Sequence, residues 1–293
     1  MSSLARMRPG EVRERLLAEG RCFASRARLC AMLGVAAEAL PSSLRRAVAR
    51  GDFVRVCRGG WVARDDLCKS TARPLPDLEL YVDDMMRHLG HRYYLGFNAA
   101  AAVHGAVRRG FSNTVVVTSA RTVHRTAARR GECSTMVVTY MHSAAPHRRG
   151  FDRRRLPEGF YPPETFVNYS TPEVTFLDMV HTPAQAGGLD QVATVALDLV
   201  EGACLDLEVL AAQALTYPQS VRQRAGHILD AVSRVADGVV DTDPLAATIS
   251  ATVAVTPLMP GVDRFFAPTC DDDPIAVDAR WRVRVNTRLD PDG

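Results

Sequence analysis

Apolar positions over residues 11–64 fall first at helical and then at strand period. Val12, Leu16 and Leu17 share one face of the stretch from Glu11 to Glu19, the spacing of an amphipathic helix. Ser25 is placed to cap a second helix running to Leu33, which Gly34 would stop, and a third is expected from about Ser42 to Arg50. Beyond Gly51, Phe53-Val54-Arg55-Val56 alternates as a strand does, Arg58-Gly59-Gly60 supplies a tight turn, and Trp61-Val62-Ala63 returns. Three short helices closed by a two-stranded hairpin follow the order of a winged helix-turn-helix, a unit that puts a helix into the DNA major groove.

Asp65 to Pro76 carries Pro74 and Pro76 in a mostly polar context and reads as a linker, which predicts one domain at 1–70 and a second at 77–293. In the second, Leu78–Leu89 has helical spacing, and Asn98–Gly105 is an alanine-rich helix ending in His-Gly. Val115–Val117 and Met136–Val138 read as strands. Thr171-Pro172-Glu173 combines a cap, a proline suited to the first helical position and a first-turn acid, so a helix should start there. Further helices are expected at Leu189–Glu201, Leu207–Leu215 and Val221–Val235. Trp281, Val283 and Val285 alternate with Arg280, Arg282 and Arg284, a strand with one basic face. The expected fold class is α+β, an N-terminal winged helix-turn-helix followed by a larger mixed α/β domain.

Composition adds a charge asymmetry that the formal net charge of +3 hides. Residues 1–64 hold 13 arginines against five acids, residues 65–169 hold 15 basic against ten acidic groups, and residues 170–293 hold eight against 18. A positive front and a negative back favour polyanions at one end and repel them at the other. Lys69 is the only lysine, so nearly all the positive charge is guanidinium. The seven cysteines form no C-x-x-C pair, which predicts a reduced, cytoplasmic setting without structural disulfides. No charged start leads into an apolar run, so no signal peptide is expected. The longest uncharged stretch, the 19 residues Pro244–Val262, contains three prolines and several hydroxyls. It fits a half-buried strand, with Ile249, Ala251, Val253 and Val255 inward, better than a membrane span.

The third helix carries the candidate chemistry. Leu44, Ala47 and Val48 are spaced to pack inward, leaving Ser42, Ser43, Arg45, Arg46 and Ala49 outward or toward the amino-terminal end. Arginine pairs bidentately with guanine, and serine reaches a base or a phosphate. Arg28, Arg55 and Arg58 would add phosphate contacts from the second helix and the hairpin. The segment 108–155 holds eleven arginines opposed only by Glu132 and Asp152. Among them Arg108, Arg109, Arg121, Arg125, Arg129 and Arg130 are candidates for a second track along the DNA backbone; a solvated face or a dock for an acidic partner are the alternatives. The pairs His88/His91 and His142/His147 lack zinc-site spacing and companion ligands, so neither a metal nor another cofactor is expected. Asp271-Asp272-Asp273 could hold a cation but has no second ligand group beside it.

Several stretches, in order, resemble one known family. Tyr94-Leu95-Gly96-Phe97-Asn98-Ala99-Ala100-Ala101-Ala102-Val103-His104-Gly105 is similar to the alanine-rich helix ending in His-Gly of AbiEi-type antitoxins. Thr171–Asp178 resembles their E-R-T-L-x-D helix start, Ala186–Val192 their A-G-G-x-x-x-V, and Trp281 with Asn286 their terminal W-x-x-x-x-N strand. Arg50-Gly51-Asp52-Phe53 and Arg55–Trp61 resemble the family's wing. Val174 departs, standing where the family often has arginine.

The resemblance implies an antitoxin of a type IV toxin–antitoxin or abortive-infection pair. It would bind double-stranded DNA at inverted repeats in its own promoter, repress its operon, and counter a nucleotidyltransferase-like toxin without a stable complex. It would not be an enzyme. Two other readings stay open, a nucleic-acid- or nucleotide-processing enzyme using Asp271–Asp273 with a metal, and a protein-interaction module docking a toxin.

Overall fold

The computed structural model of the protein describes residues 6–70, 75–106, 113–119, 137–143, 146–157, 164–236, 240–250, 252–261, 277–287 and 289. The described residues form twelve α-helices and three sheets, a mixed α+β architecture. The chain divides into two compact units, residues 1–94 with 116–146 and 153–168, and residues 95–115 with 147–152 and 169–293.

The first unit opens with α1, Pro9–Ala18, whose proline suits the first helical position and whose Glu11 carboxylate accepts the Arg8 backbone N–H at 2.7 Å. After β1, Phe23–Ser25, comes α2, Arg26–Leu33. Ser25 Oγ accepts from the Arg28 N–H at 3.2 Å, and Gly34 ends the helix in the left-handed conformation at φ 61°. The third helix, α3, is Leu40–Ala49. It starts two residues before the expected Ser42, because Pro41 needs no backbone donor in a first turn. Strands β2, Phe53–Cys57, and β3, Gly60–Ala63, form the expected hairpin, and β1 joins it to give the order β1-β3-β2.

All pairings in this sheet are antiparallel, with Ala24 opposite Trp61, Val54 opposite Val62, and a bulge between Arg55 and Cys57. Val12, Leu16, Ala24, Leu29, Leu33, Leu40, Leu44, Ala47, Phe53, Trp61 and Ala63 make one core. Full burial of each leucine contributes on the order of 2 kcal/mol. Val48, expected inward, is 44% exposed. Each step of four residues drifts 40° around a helix, so Val48 has turned well away from Leu40 while Ala47 has not.

The stretch expected as a linker instead starts with a short helix, α4, Asp66–Ser70, where the Cys68 N–H donates to Asp65 Oδ1 at 2.6 Å and Cys68 is buried. Beyond a 3-10 turn at Leu78–Leu80 comes α5, Val82–Leu89.

Next along the chain are β4 (Tyr93–Gly96), α6 (Phe97–Val103), β5 (Asn113–Thr118), β6 (Val137–His142), β7 (Phe151–Arg155) and β8 (Phe166–Ser170). The five strands form one sheet in the order β6-β5-β4-β8-β7, and β4 and β8 run parallel with Leu95 opposite Tyr169.

In the second unit α7, Pro172–His181, is buried all round from Glu173 to Val180, and Thr171 Oγ1 caps it. Packed on it, with α6, are α9 (Leu189–Glu201), α10 (Leu207–Ala214) and α11 (Gln219–Ser233), with α8 (Pro183–Ala186) leading into α9. Such enclosure is met by apolar side chains on most of the helix and by hydrogen bonds to its buried polar ones, Glu173, Thr175 and Asp178. The chain then forms α12 (Asp243–Ala246) and three two-residue strands, β9 (Thr256–Pro257), β10 (Val277–Asp278) and β11 (Val283–Arg284), in the order β10-β11-β9.

The half-buried strand expected over 244–262 is therefore absent from the described residues apart from Thr256–Pro257, and Val255 is 44% exposed. Prolines at 244, 257 and 260 remove ladder donors and favour turns there. The basic terminal strand is likewise shorter than expected. Trp281 lies in a turn, fully buried against Gly226 of α11, and Arg282 sits at φ 53°, which breaks the alternation. No described helix is long and apolar enough to cross a membrane.

Candidate nucleic-acid interface

The outward side of α3 is formed as a consequence of its inward side. Leu40, Leu44 and Ala47 enter the core, so Ser42, Arg45 and Arg46 stand exposed, with Ser43 half-buried at the margin. Both serine hydroxyls donate back to the Ala39 carbonyl, at 2.8 Å for Ser42 and 2.9 Å for Ser43. This fixes their rotamers and leaves their oxygen lone pairs as acceptors. The side chains of Arg45 and Arg46 have no hydrogen-bond or ion-pair partner among the described residues. A groove of about 800 Å³ runs between α1 and α3, walled by Arg8, Glu11 and Glu14 on one side and Ser42, Arg46 and Arg50 on the other.

Around this face most arginines are tied down. Arg13 donates to the Arg64 carbonyl at 2.6 Å and to Asp66 at 2.5 Å, and Arg50 and Lys69 share Asp52. Burial alone would raise the Asp52 carboxyl, but the hydrogen bonds from Lys69 and Arg50 outweigh it and hold the group below the usual carboxylate range. Arg28 is ion-paired to Glu19, so a phosphate contact from it requires exchanging that partner. Arg55 is exposed on β2, its guanidinium 5.9 Å from the Trp61 ring centroid. Arg58 is exposed at the hairpin turn, and its side chain has no partner among the described residues.

Three further arginines share that condition and carry no motif that could single them out. Arg6 precedes α1, Arg21 precedes β1 and Arg26 opens α2, all exposed and without a side-chain partner among the described residues. Arg108, Arg109, Arg121, Arg125, Arg129 and Arg130 lie outside the described residues, as do Asp271, Asp272 and Asp273. Among the described residues no group of three His, Cys, Asp or Glu side chains could hold a metal. His88 of the His88/His91 pair instead contacts the Arg58 carbonyl oxygen through Nε2 at 3.2 Å.

The motif residues of the second unit hold helices together. Asn98 Nδ2 donates to the Ala186 carbonyl at 3.0 Å, His104 Nε2 meets the Ser170 carbonyl at 2.8 Å, and Gly105 supplies the turn at φ 78°. Asp178, fully buried, accepts from Arg149 at 2.6 Å and from the Tyr217 hydroxyl at 2.8 Å. Asn286 bridges both backbone groups of Met259, at 2.8 and 3.1 Å.

No curated protein matches the chain. A crystal structure of the RV2827C protein from Mycobacterium tuberculosis matches with a TM-score of 0.56 over 96% of this chain and 92% of that one, at 17% identity, a likeness of fold alone. The family model described as the AbiEi antitoxin C-terminal domain matches residues 94–231, the span from β4 to α11. Residues 94–231 are thus similar to the C-terminal domain of AbiEi antitoxins.

Proposed function

We propose that the chain is the antitoxin of a type IV toxin–antitoxin pair and represses its own operon by sequence-specific DNA binding. In this reading residues 1–70 are a winged helix-turn-helix and 77–293 the antitoxin domain. Helix α3 enters the major groove, Arg45 and Arg46 read base edges, and Ser42 and Ser43 accept or bridge near the helix start. Arg55 and Arg58 hold the backbone from the hairpin, with Arg28 joining on release from Glu19. Arg108, Arg109, Arg121, Arg125, Arg129 and Arg130 lengthen the phosphate track. The partner toxin is nucleotidyltransferase-like and is countered without a stable complex. Two copies on an inverted repeat would gain affinity through effective concentration.

The observation that carries the reading is α3 itself, a helix anchored by three core residues and carrying two exposed arginines whose guanidinium groups have no partner among the described residues. A protein gains no stability from such a pair, whereas a duplex supplies what they lack. A reduced cytoplasmic setting suits the thiols. Burial pushes Cys22 up to about 12 and Cys57 up to about 11, so both stay protonated and unreactive.

The test is a mobility-shift titration of the full chain on its upstream intergenic duplex and on random duplex. Arg46→Ala should cost about 1–3 kcal/mol on the cognate duplex and much less on random sequence. Equal losses on both would reassign Arg46 to phosphate, and no cognate binding at low salt would end the repressor reading.

A further inference from the structure

One side chain from beyond residues 1–70 grips the hairpin turn. His88, in the last turn of α5, brings Nε2 to 3.2 Å from the Arg58 carbonyl oxygen, and its ring lies 5.6 Å from that of Phe23, tilted by 51°. Gly59 sits at φ 72°, a conformation that favours glycine, directly beside His88 Nε2. From another direction the Arg26 N–H donates to the Gly59 carbonyl at 2.7 Å. Helix α5 is held in turn, because Asp83 accepts from the Tyr93 hydroxyl and from Arg153, both at 3.2 Å. His88, Arg58, Phe23, Arg26, Asp83, Tyr93 and Arg153 all belong to the first compact unit.

A turn built on two glycines is where a hairpin has most conformational freedom to lose. Here the Arg58–Gly59 peptide is held by an imidazole and the Gly59–Gly60 peptide by a backbone donor, while the Arg58 side chain remains exposed and without a partner among the described residues. The folded protein has thus already ordered the backbone from which that guanidinium extends, a cost that binding would otherwise incur.

We propose that His88 is a positioning residue for DNA binding. It holds the Arg58–Gly59 turn so that Arg58 meets a phosphate, and does not itself touch the duplex. The proposal rests on the DNA-binding reading above.

The experiment measures binding of the full chain to the upstream duplex between 50 and 200 mM salt. It compares wild type with Arg58→Ala, His88→Ala, the double variant and His88→Gln. One phosphate contact accounts for about threefold of the affinity lost across that range. Arg58→Ala and His88→Ala should each flatten the salt response by about that factor. In the Arg58→Ala background the loss of His88 should cost nothing more, and His88→Gln, whose amide N–H can reach the same carbonyl, should restore wild-type binding. A purely structural histidine would not show that pattern of non-additivity and rescue. Should His88→Ala unfold, His88→Leu keeps the bulk and removes the donor. The proposal is overturned if Arg58→Ala weakens binding while His88→Ala does not, if the two losses add in full, or if Gln fails to rescue. If Arg46→Ala and Arg58→Ala are both silent, the DNA-binding reading has failed and this inference falls with it.

Discussion

Replacing Gly226 by alanine in the middle of α11 would ordinarily stabilise a helix by about 1 kcal/mol. Here the opposite is expected. A Cβ at Gly226 would lie 2.1 Å from Cε3 and Cζ3 of Trp281 and 2.4 Å from its Cδ2, so it would occupy space the ring already fills. The ring cannot slide aside at low cost. It is fully buried, its Nε1–H donates to Asp230 at 2.6 Å, and the Arg280 guanidinium lies 4.9 Å from its centroid. Losing the packing of a buried tryptophan costs about 3–5 kcal/mol, and the helical gain offsets about 1, leaving an expected net loss of about 2–4 kcal/mol. That is a large share of a typical domain's stability.

The assay is equilibrium denaturation followed by tryptophan fluorescence. The chain has two tryptophans, Trp61 and Trp281, so a Trp61→Phe background isolates the ring in question. Gly226→Ala should lower the midpoint and red-shift native emission as the indole meets water. In a Trp281→Ala background the sign should reverse, Gly226→Ala becoming neutral or stabilising by up to about 1 kcal/mol. A Gly226→Ala protein with wild-type stability and unshifted emission would refute the idea that Trp281 seals α11.

Asp178→Ala should destabilise by about 3–5 kcal/mol, because Arg149, 11% exposed, is left without this carboxylate, while Tyr217→Phe, which removes one hydrogen bond to that charge, should cost less, about 1.5–3; a larger loss from Tyr217→Phe would contradict the assignment. Burial would raise the Asp278 carboxyl, but hydrogen bonds from His227 and from the Trp281 and Arg280 N–H groups outweigh it and lower its pKa. Its stabilisation is therefore full above the unfolded value of about 3.9 and is lost as pH falls through the lower folded value. The melting-temperature gap between wild type and Asp278→Asn should close below about pH 4, and a gap independent of pH would count against it. Arg45→Ala and Arg46→Ala should unfold within about 0.5 kcal/mol of wild type, and a larger drop would make either arginine structural.

What could be read in the chain was whatever depended on neighbours in sequence. Helix α9 runs over the expected Leu189–Glu201, and Ser25 and Gly34 bound α2 as capping chemistry requires. Strand β1 leaves no signal in the sequence, because three residues, Phe23–Ser25, show no period and become a strand only by pairing with β3 some 35 residues on. Strands β4 and β8 are short and pair across a long stretch of sequence, and β7, Phe-Asp-Arg-Arg-Arg, shows no apolar alternation. At the candidate interface, spacing alone separated Arg45 and Arg46 from Leu44 and Ala47. Nothing in the sequence ties Glu19 to Arg28, or His88 to a turn thirty residues earlier.

Counting charges and counting available charges lead to different maps of this molecule. Residues 6–64 are rich in arginine, yet Arg8, Arg13, Arg15, Arg28 and Arg50 each hold an acid, and Arg64 donates to the Gly51 and Cys68 carbonyls. Such groups are committed to the fold, and recruiting them to a polyanion means breaking what they already make. Arg6, Arg21, Arg26, Arg45, Arg46 and Arg58 are under no such constraint among the described residues, and they lie before α1, around β1 and α2, on α3 and at the hairpin turn. Any surface for nucleic acid in this unit is therefore better defined by these six than by the arginine total. The salt dependence of binding should follow their removal one by one, at roughly 0.9 of a log-log unit for each that meets a phosphate, and should be indifferent to Arg15, whose partner is Glu19.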